Sequence, residues 1–339
     1  MKNNILNLVD KKTLIIAEIG NNHEGSFVLA KKLIDKAKEC GVNAVKFQTF
    51  IPSLFYSNET DKKRMIQLKK FSLSFEQFRK LSVYAKTKDL IFFSTPLDYE
   101  SAKFLNKIQK IFKIASSDNN YFHLIEKIAH FNKDMIISTG LSDVKLLKTI
   151  DKIVSQIWKK NKIKKKLAYT HCVSSYPTNF KDTNLGAIKV LKKQFPNRII
   201  GYSDHTIGIE ACLVAAAFGA KIIEKHFTLD NNYSKFRDHK LSANPNEMKI
   251  LVNRIRSLDQ MKIFSSKKPL KCERAVMKTC RRFFAASNDL RKGSIITKND
   301  IMGLRSSKGI SVSSPQQILN RKIKKNLLFR EIINKTDLT

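Results

Sequence analysis

The sequence lacks most of the signals that assign a protein quickly. No apolar run reaches the roughly 18–20 residues needed to span a bilayer. Residues 1–12 are polar and mixed in charge, without the apolar stretch and cleavage site of a secretory leader. The expectation is a cytoplasmic protein with no membrane partner. Five cysteines (Cys40, Cys172, Cys212, Cys272 and Cys280) are odd in number and scattered, and no C-x-x-C pair occurs. Neither a zinc ribbon nor a disulfide framework is indicated, and the thiols are expected to stay reduced. No G-x-G-x-x-G follows an apolar run, which argues against dinucleotide binding, and no P-loop is present to support nucleoside triphosphate hydrolysis. Arginine is scarce, 13 of the 64 basic residues against 51 lysines. Readers of bases and phosphates lean on arginine's planar fork. The net charge of +35 is therefore read as compositional drift toward Lys, Asn and Ile, useful for attracting an anionic substrate. It does not predict a nucleic-acid partner.

What is present begins with size. A chain of 339 residues, 42% of them hydrophobic, is long enough for one large domain and a smaller one. The most informative stretch is 201–230. Two short β-branched runs, each ending in a polar cluster with one histidine (His205 and His226), flank an Ala-rich segment of helical composition. That reads strand, helix, strand, with a histidine just past each strand's carboxyl end. Parallel strands bring such ends side by side, where α/β enzymes build their sites. Two imidazoles converging there suggest a divalent metal with positions open to substrate and water. The alternative is a pair of hydrogen-bonded structural histidines.

The same beat recurs along the chain. Strands are expected at 13–20, 43–50, 90–94, 111–115, 135–138, 167–171, 199–202 and 221–225. Helices are expected at 27–40, 74–88, 100–108, 121–131, 143–158, 183–195, 207–218 and 246–262. Eight strand–helix pairs in roughly 250 residues is the count that closes a (β/α)8 TIM barrel. An open doubly wound sheet is the structural alternative. The expected division is a barrel at 1–263, a linker at 264–278, and a compact module at 279–339 with its own small core.

Polar residues cluster at the predicted strand ends: Glu18, Lys46, Gln48, Ser94, Thr95, Lys113, Ser116, Ser138, Thr139, His171, Ser203, Asp204, His205, Glu224, Lys225 and His226. Singly each has a dull explanation as a cap or a snorkelling chain. In a barrel they would ring one opening the size of a small molecule. Two lysines with several hydroxyls suit a phosphate or carboxylate. A Schiff-base lysine is the other use for such a lysine, and the histidine pair favours a metal that polarises a carbonyl.

Eight motifs, in order, resemble the sialic acid synthase (N-acetylneuraminate synthase) family. They are E-I-G-N-N-H-E-G-S (18–26), V-K-F-Q-T (45–49), F-F-S-T-P (92–96), F-K-I-A-S (112–116), I-S-T-G (137–140), H-C-V-S-S-Y-P-T (171–178), G-Y-S-D-H-T (201–206) and E-K-H-F-T (224–228). The tail from Arg281 resembles the family's antifreeze-like (SAF) domain. The resemblance implies a transferase that condenses phosphoenolpyruvate with N-acetylmannosamine or a related 2,4-diacetamido sugar, giving a nonulosonic acid and phosphate. It also implies that His205 and His226 hold Mn²⁺ or Mg²⁺, and that Lys46, Lys113, Ser116 and Ser203 bind phosphate and carboxylate. Gln48 and Thr95 would line the pocket, and Glu18, Tyr176 and Asp238 would meet the sugar. Arg305 of the partner subunit would reach the acyl-amino group in a domain-swapped homodimer. Asp118 and Ser174 stand where members making N-acetylneuraminate carry a longer acid and an asparagine, which leaves the acceptor sugar open. A metal-dependent sugar aldolase or isomerase on the same barrel is the alternative activity.

Overall fold

A computed structural model describes residues 5–57, 62–261 and 267–339. Parts of the expected N-terminal segment, of the stretch between the second expected strand and the helix expected at 74–88, of the last barrel helix and of the linker fall outside them. The chain divides into two compact units, 1–262 and 263–339.

The first unit alternates strand and helix. In order it has β1 (Leu14–Gly20), α1 (Phe27–Glu39), β2 (Ala44–Thr49), α2 (Pro52–Phe55), α3 (Lys62–Phe71), α4 (Phe75–Thr87) and β3 (Ile91–Pro96). It continues with α5 (Tyr99–Leu105), β4 (Ile111–Ile114), α6 (Phe122–Ala129), β5 (Asp134–Ser138), α7 (Val144–Lys160) and β6 (Leu167–His171). It closes with α8 (Ala187–Gln194), β7 (Ile199–Asp204), α9 (Glu210–Ala217), β8 (Ile222–His226), α10 (Arg237–Leu241) and α11 (Pro245–Gln260). The strands form one parallel sheet in the order β3-β2-β1-β8-β7-β6-β5-β4. This is the expected eight-stranded TIM-like barrel, nearly closed. Between β3 and β4, Gln109 takes over: its Oε1 accepts from Ser94 N at 2.8 Å and its Nε2 donates to Ser94 O at 3.2 Å.

Strand alternation sorts the core into two shells. Odd members of the pattern (Ile15, Val45, Phe92, Phe112, Tyr169, Ile223) pack outward under the helices. Their neighbours (Leu14, Ile16, Ala44, Phe93, Ile136, Ala168, Ile222) fill the barrel interior. A 3-10 turn, Ile5–Asp10, sends Leu6 and Val9 into that interior from below, with Leu6 N donating to Asp134 Oδ2 at 3.1 Å. Gly201 faces inward where a Cβ would stand 2.6 Å from Ile222 Cβ, so only glycine lets β7 and β8 pack this closely.

Helix starts differ from the expectation where the backbone turns left-handed. Gly208 (φ +84) and Asn184 (φ +43) delay α9 and α8 to Glu210 and Ala187. Ser74 caps α4: its Oγ accepts from Gln77 N while Gln77 Oε1 accepts from Ser74 N.

The second unit has α12 (Arg274–Cys280), which begins inside the expected linker, and an antiparallel pair, β9 (Arg282–Ala286) and β10 (Ile301–Arg305). Phe284, Ile296, Ile310, Ile323, Leu327 and Ile333 contribute to a separate core. All five cysteines are free. Among the described residues no helix is long and apolar enough to cross a membrane.

Candidate active site

Inward-facing positions continue past the apolar layers to the carboxyl ends of the strands, and there they turn polar. Glu18 follows Leu14 and Ile16 on one face of β1, and Lys46 and Gln48 follow Ala44 on β2. Thr95 follows Phe93, Ser203 follows Gly201, and Glu224 and His226 follow Ile222. Several of these lie within the strands rather than beyond them, because β3, β7 and β8 run longer than expected. They surround a cavity of about 120 Å³, which Ser116, Ser138, Tyr176, His205 and Asp238 also line.

Two buried carboxylates and two buried lysines form its floor. Lys46 Nζ is 2.8 Å from Glu18 Oε1 and 3.7 Å from Glu224 Oε1. Lys113 Nζ is 2.8 Å from Glu224 Oε1, which also accepts from Ser203 Oγ at 2.8 Å. Gln48 Nε2 donates to Glu18 at 3.4 Å and is itself oriented by Asn21. Burial alone would raise the Glu224 carboxyl, but Lys113 and Lys46 together hold it at about 2. Burial raises Glu18, opposed by Lys46. Desolvation lowers Lys113, whereas for Lys46 the two carboxylates outweigh burial and raise it.

The histidines stand side by side at the rim, with ring centroids 5.5 Å apart and planes at 60°. Burial lowers both, with His205 and then Lys46 adding to the effect on His226, so both imidazoles are neutral. His205 Nδ1 lies 2.7 Å from Val173 O. A carbonyl only accepts, so Nδ1 carries the proton and Nε2 the lone pair. Among the described residues His226 Nδ1 and Glu18 Oε2 are buried without a hydrogen bond, and Asp238 Oδ1 has only Arg237 Nε at 3.4 Å. Neutral imidazoles with an available lone pair are what a divalent cation requires, so the pair fits one. Among the described residues no group of three or more His, Cys, Asp or Glu side chains is arranged to hold a metal. The two histidines would therefore be its protein ligands, with other positions open.

Of the residues singled out from the sequence, Glu18, Lys46, Gln48, Thr95, Lys113, Ser116, Tyr176, Ser203, His205, His226 and Asp238 line the cavity. Ser174 and Asp118 stand outside that lining. Ser174 Oγ donates to Ser116 Oγ at 2.8 Å from behind, and Asp118 closes the short turn after β4. Arg305 ends β10 in the second unit and is exposed. Four of the expected strand-end residues face outward by alternation. Ser94 bonds Thr49 at 2.7 Å, His171 Nε2 bonds Thr183 O at 2.8 Å, and Asp204 pairs with Lys225 at 2.7 Å. Arg64, Phe236 and Arg237 also line the cavity and were missed. They come from α3 and the start of α10, short segments without a clear period. Arg237 stacks 4.8 Å over the Tyr176 ring.

Fold and cavity together define the class: a (β/α)8 barrel with a charged, histidine-bearing pocket at the carboxyl ends of its strands. The profile of the NeuB family matches residues 33–267. An N,N'-diacetyllegionaminic acid synthase of Campylobacter jejuni is 36% identical over 336 residues, covering 95% of this chain and 99% of that one. An uncharacterised protein of Methanocaldococcus jannaschii is 41% identical over 332 residues, covering 96% and 94%. The crystal structure of an N-acetylneuraminic acid synthetase from Leptospira borgpetersenii, in complex with citrate, superposes with a TM-score of 0.72 at 34% identity, covering 79% of this chain and 90% of that one. The chain belongs to the NeuB family.

Proposed function

We propose that this protein is a nonulosonic acid synthase, a transferase that joins phosphoenolpyruvate to an N-acylated amino-sugar aldehyde. C3 of the enolpyruvate forms a bond to the aldehyde carbon, water adds at C2, and phosphate leaves, so that a 2-keto acid and inorganic phosphate result. The observation that carries this reading is the convergence of Lys46, Lys113, Glu224 and a neutral histidine pair on one small cavity. Membership of the family and likeness to a diacetyllegionaminic acid synthase support it and favour a 2,4-diacetamido sugar over N-acetylmannosamine.

Lys46 and Lys113, with Ser116 and Ser203, hold the phosphate and carboxylate in this reading; the pocket is buried, so each charge-assisted bond acts at low dielectric. Gln48 and Thr95 shape the wall. Glu18, Tyr176 and Asp238 bind the sugar's hydroxyls; Glu18 Oε2 is buried with no hydrogen bond among the described residues, and Asp238 Oδ1 has only Arg237 Nε at 3.4 Å. Asp118 and Ser174 support the turn and the Ser116 hydroxyl beside them. His205 and His226 hold Mn²⁺ or Mg²⁺, which when bound makes the aldehyde more electrophilic and steadies the developing oxyanion. The second unit, 279–339 after a 264–278 linker, is proposed to be the antifreeze-like (SAF) domain. In a cytoplasmic, domain-swapped homodimer, Arg305 of the partner subunit would then meet the acyl-amino group.

The test is phosphate release from phosphoenolpyruvate with Mn²⁺ and a panel of acceptors: N-acetylmannosamine, a 2,4-diacetamido hexose and no sugar. Sugar-dependent release that chelation stops is the expected result. His226→Ala should lose metal binding and about 10²–10³ in kcat while staying folded. Full release by metal-free His226→Ala protein would end the metal assignment.

A further inference from the structure

The ion pair between Asp204 and Lys225 lies outside the cavity, on the outer face of the barrel, and the proposed reaction does not use it. Lys225 Nζ is 2.7 Å from Asp204 Oδ2, and neither side chain has any exposure. The two residues are direct partners in the β7–β8 ladder, and each immediately precedes one histidine of the pair. Asp204 also accepts from Tyr202 OH at 2.9 Å, from Thr206 N at 3.0 Å, from Thr206 Oγ1 at 3.1 Å and from Cys212 Sγ at 3.4 Å. Lys225 donates in addition to Thr206 O. The backbone on both sides of His205 is thus tied to the residue before His226.

A buried ion pair is a poor source of stability, because desolvation offsets most of the attraction and an apolar pair of equal volume often serves as well or better. What it supplies is directional geometry. His205 has a second restraint, its Nδ1 bond to Val173 O, whereas His226 Nδ1 has no hydrogen-bond partner among the described residues. The place of His226 relative to His205 therefore depends on the strand that carries it. We propose that Asp204 and Lys225 are positioning residues that set the separation of the His205 and His226 rings, and through it the affinity for a divalent cation. The second half of this statement rests on the metal reading above; the first does not.

The test is the double variant Asp204→Asn/Lys225→Met in the full-length protein. Asparagine keeps an acceptor for Tyr202 and the Thr206 amide, and methionine keeps the lysine's volume, so no charge is left unpaired. Three quantities are measured: thermal midpoint without metal, ring separation in a metal-free crystal structure, and Mn²⁺ affinity by titration. We expect a midpoint within a few degrees of the parent, a shifted ring separation, and Mn²⁺ binding weakened about 10–100-fold, the range for residues that orient metal ligands. An unchanged separation overturns the proposal whatever the metal does. So does a collapsed midpoint, which would make the pair structural. If the parent protein binds no Mn²⁺ but the separation still shifts, the positioning role stands and the metal reading falls.

Discussion

Lys113 Nζ lies 2.8 and 2.9 Å from the two carboxylate oxygens of Glu224, and the same carboxylate stands 3.7 Å from Lys46 Nζ. Glu224 is thus the hub between two lysines that would otherwise repel each other in a buried pocket. Its charge favours the protonated form of both, against the burial that lowers Lys113, and aims them at one point, so an arriving phosphate or carboxylate meets a preset site rather than two mobile chains.

Replacing the hub should expose this dependence. Glu224→Gln keeps the bond from Ser203 but removes the counter-charge of Lys113 and leaves Lys46 with Glu18 alone. Breaking a buried pair in this way costs about 3–5 kcal/mol, which urea unfolding at neutral pH would read. The pH profile adds a second check. The Glu224 carboxyl is held at about 2 in the folded chain, below its usual 4.5. Its contribution is present above pH 4.5 and is lost as pH falls from 4.5 toward 2. The variant should lack that acid limb; a parent-like acid limb would remove Glu224 from the hub.

Asp118 should behave in the opposite sense. Its Oδ2 is buried with no hydrogen bond among the described residues, and burial raises the carboxyl to about 6 from 3.8, against a weaker opposing bond from Ser117. A folded value above the unfolded one means the ionised form is penalised, so stability falls as pH rises from 3.8 through 6. A shift of about two units corresponds to about 3 kcal/mol at most. Asp118→Asn should therefore raise the thermal midpoint at pH 7.5 and flatten the profile between pH 4 and 6. Equal midpoints at pH 7.5 would show that the carboxylate is solvated.

Much of this was legible in the residues, for a physical reason. β-branched runs ending in polar clusters mark buried parallel strands, and the two-residue alternation that puts Lys46 and Gln48 on one face also separates Glu224 and His226 from Lys225. Applied to every strand, it would have moved Ser94, His171, Asp204 and Lys225 outward. The seam held by Gln109 was hidden, because a side chain standing in for a ladder leaves no periodic trace. Arg64 and Arg237 were hidden for a related reason: they sit on short helices whose placement depends on tertiary packing. Gly208 and Asn184, whose left-handed backbone delays two helices, carry only a weak local signal.

The wall behind Ser116 offers the most specific prediction. A Cβ at Gly140 would stand 2.4 Å from Ser174 Oγ, 2.8 Å from Cys172 Sγ and 3.0 Å from Ser116 Cβ. Ser116 lines the cavity, and its hydroxyl is held by Ser174. Gly140→Ala must therefore push Ser116 forward or Ser174 back, and overpacking of this kind costs about 1–3 kcal/mol. If Ser116 binds phosphoenolpyruvate, KM for that substrate should rise roughly tenfold, 1.4 kcal/mol per decade, with the acceptor's KM little changed. Ser174→Gly removes the nearest clashing atom, so Gly140→Ala/Ser174→Gly should recover part of the loss, a coupling that independent sites would not show. Steady-state kinetics on the two singles and the double decides it: additive effects, or a rise confined to the sugar's KM, would detach Ser116 from the phosphoenolpyruvate subsite.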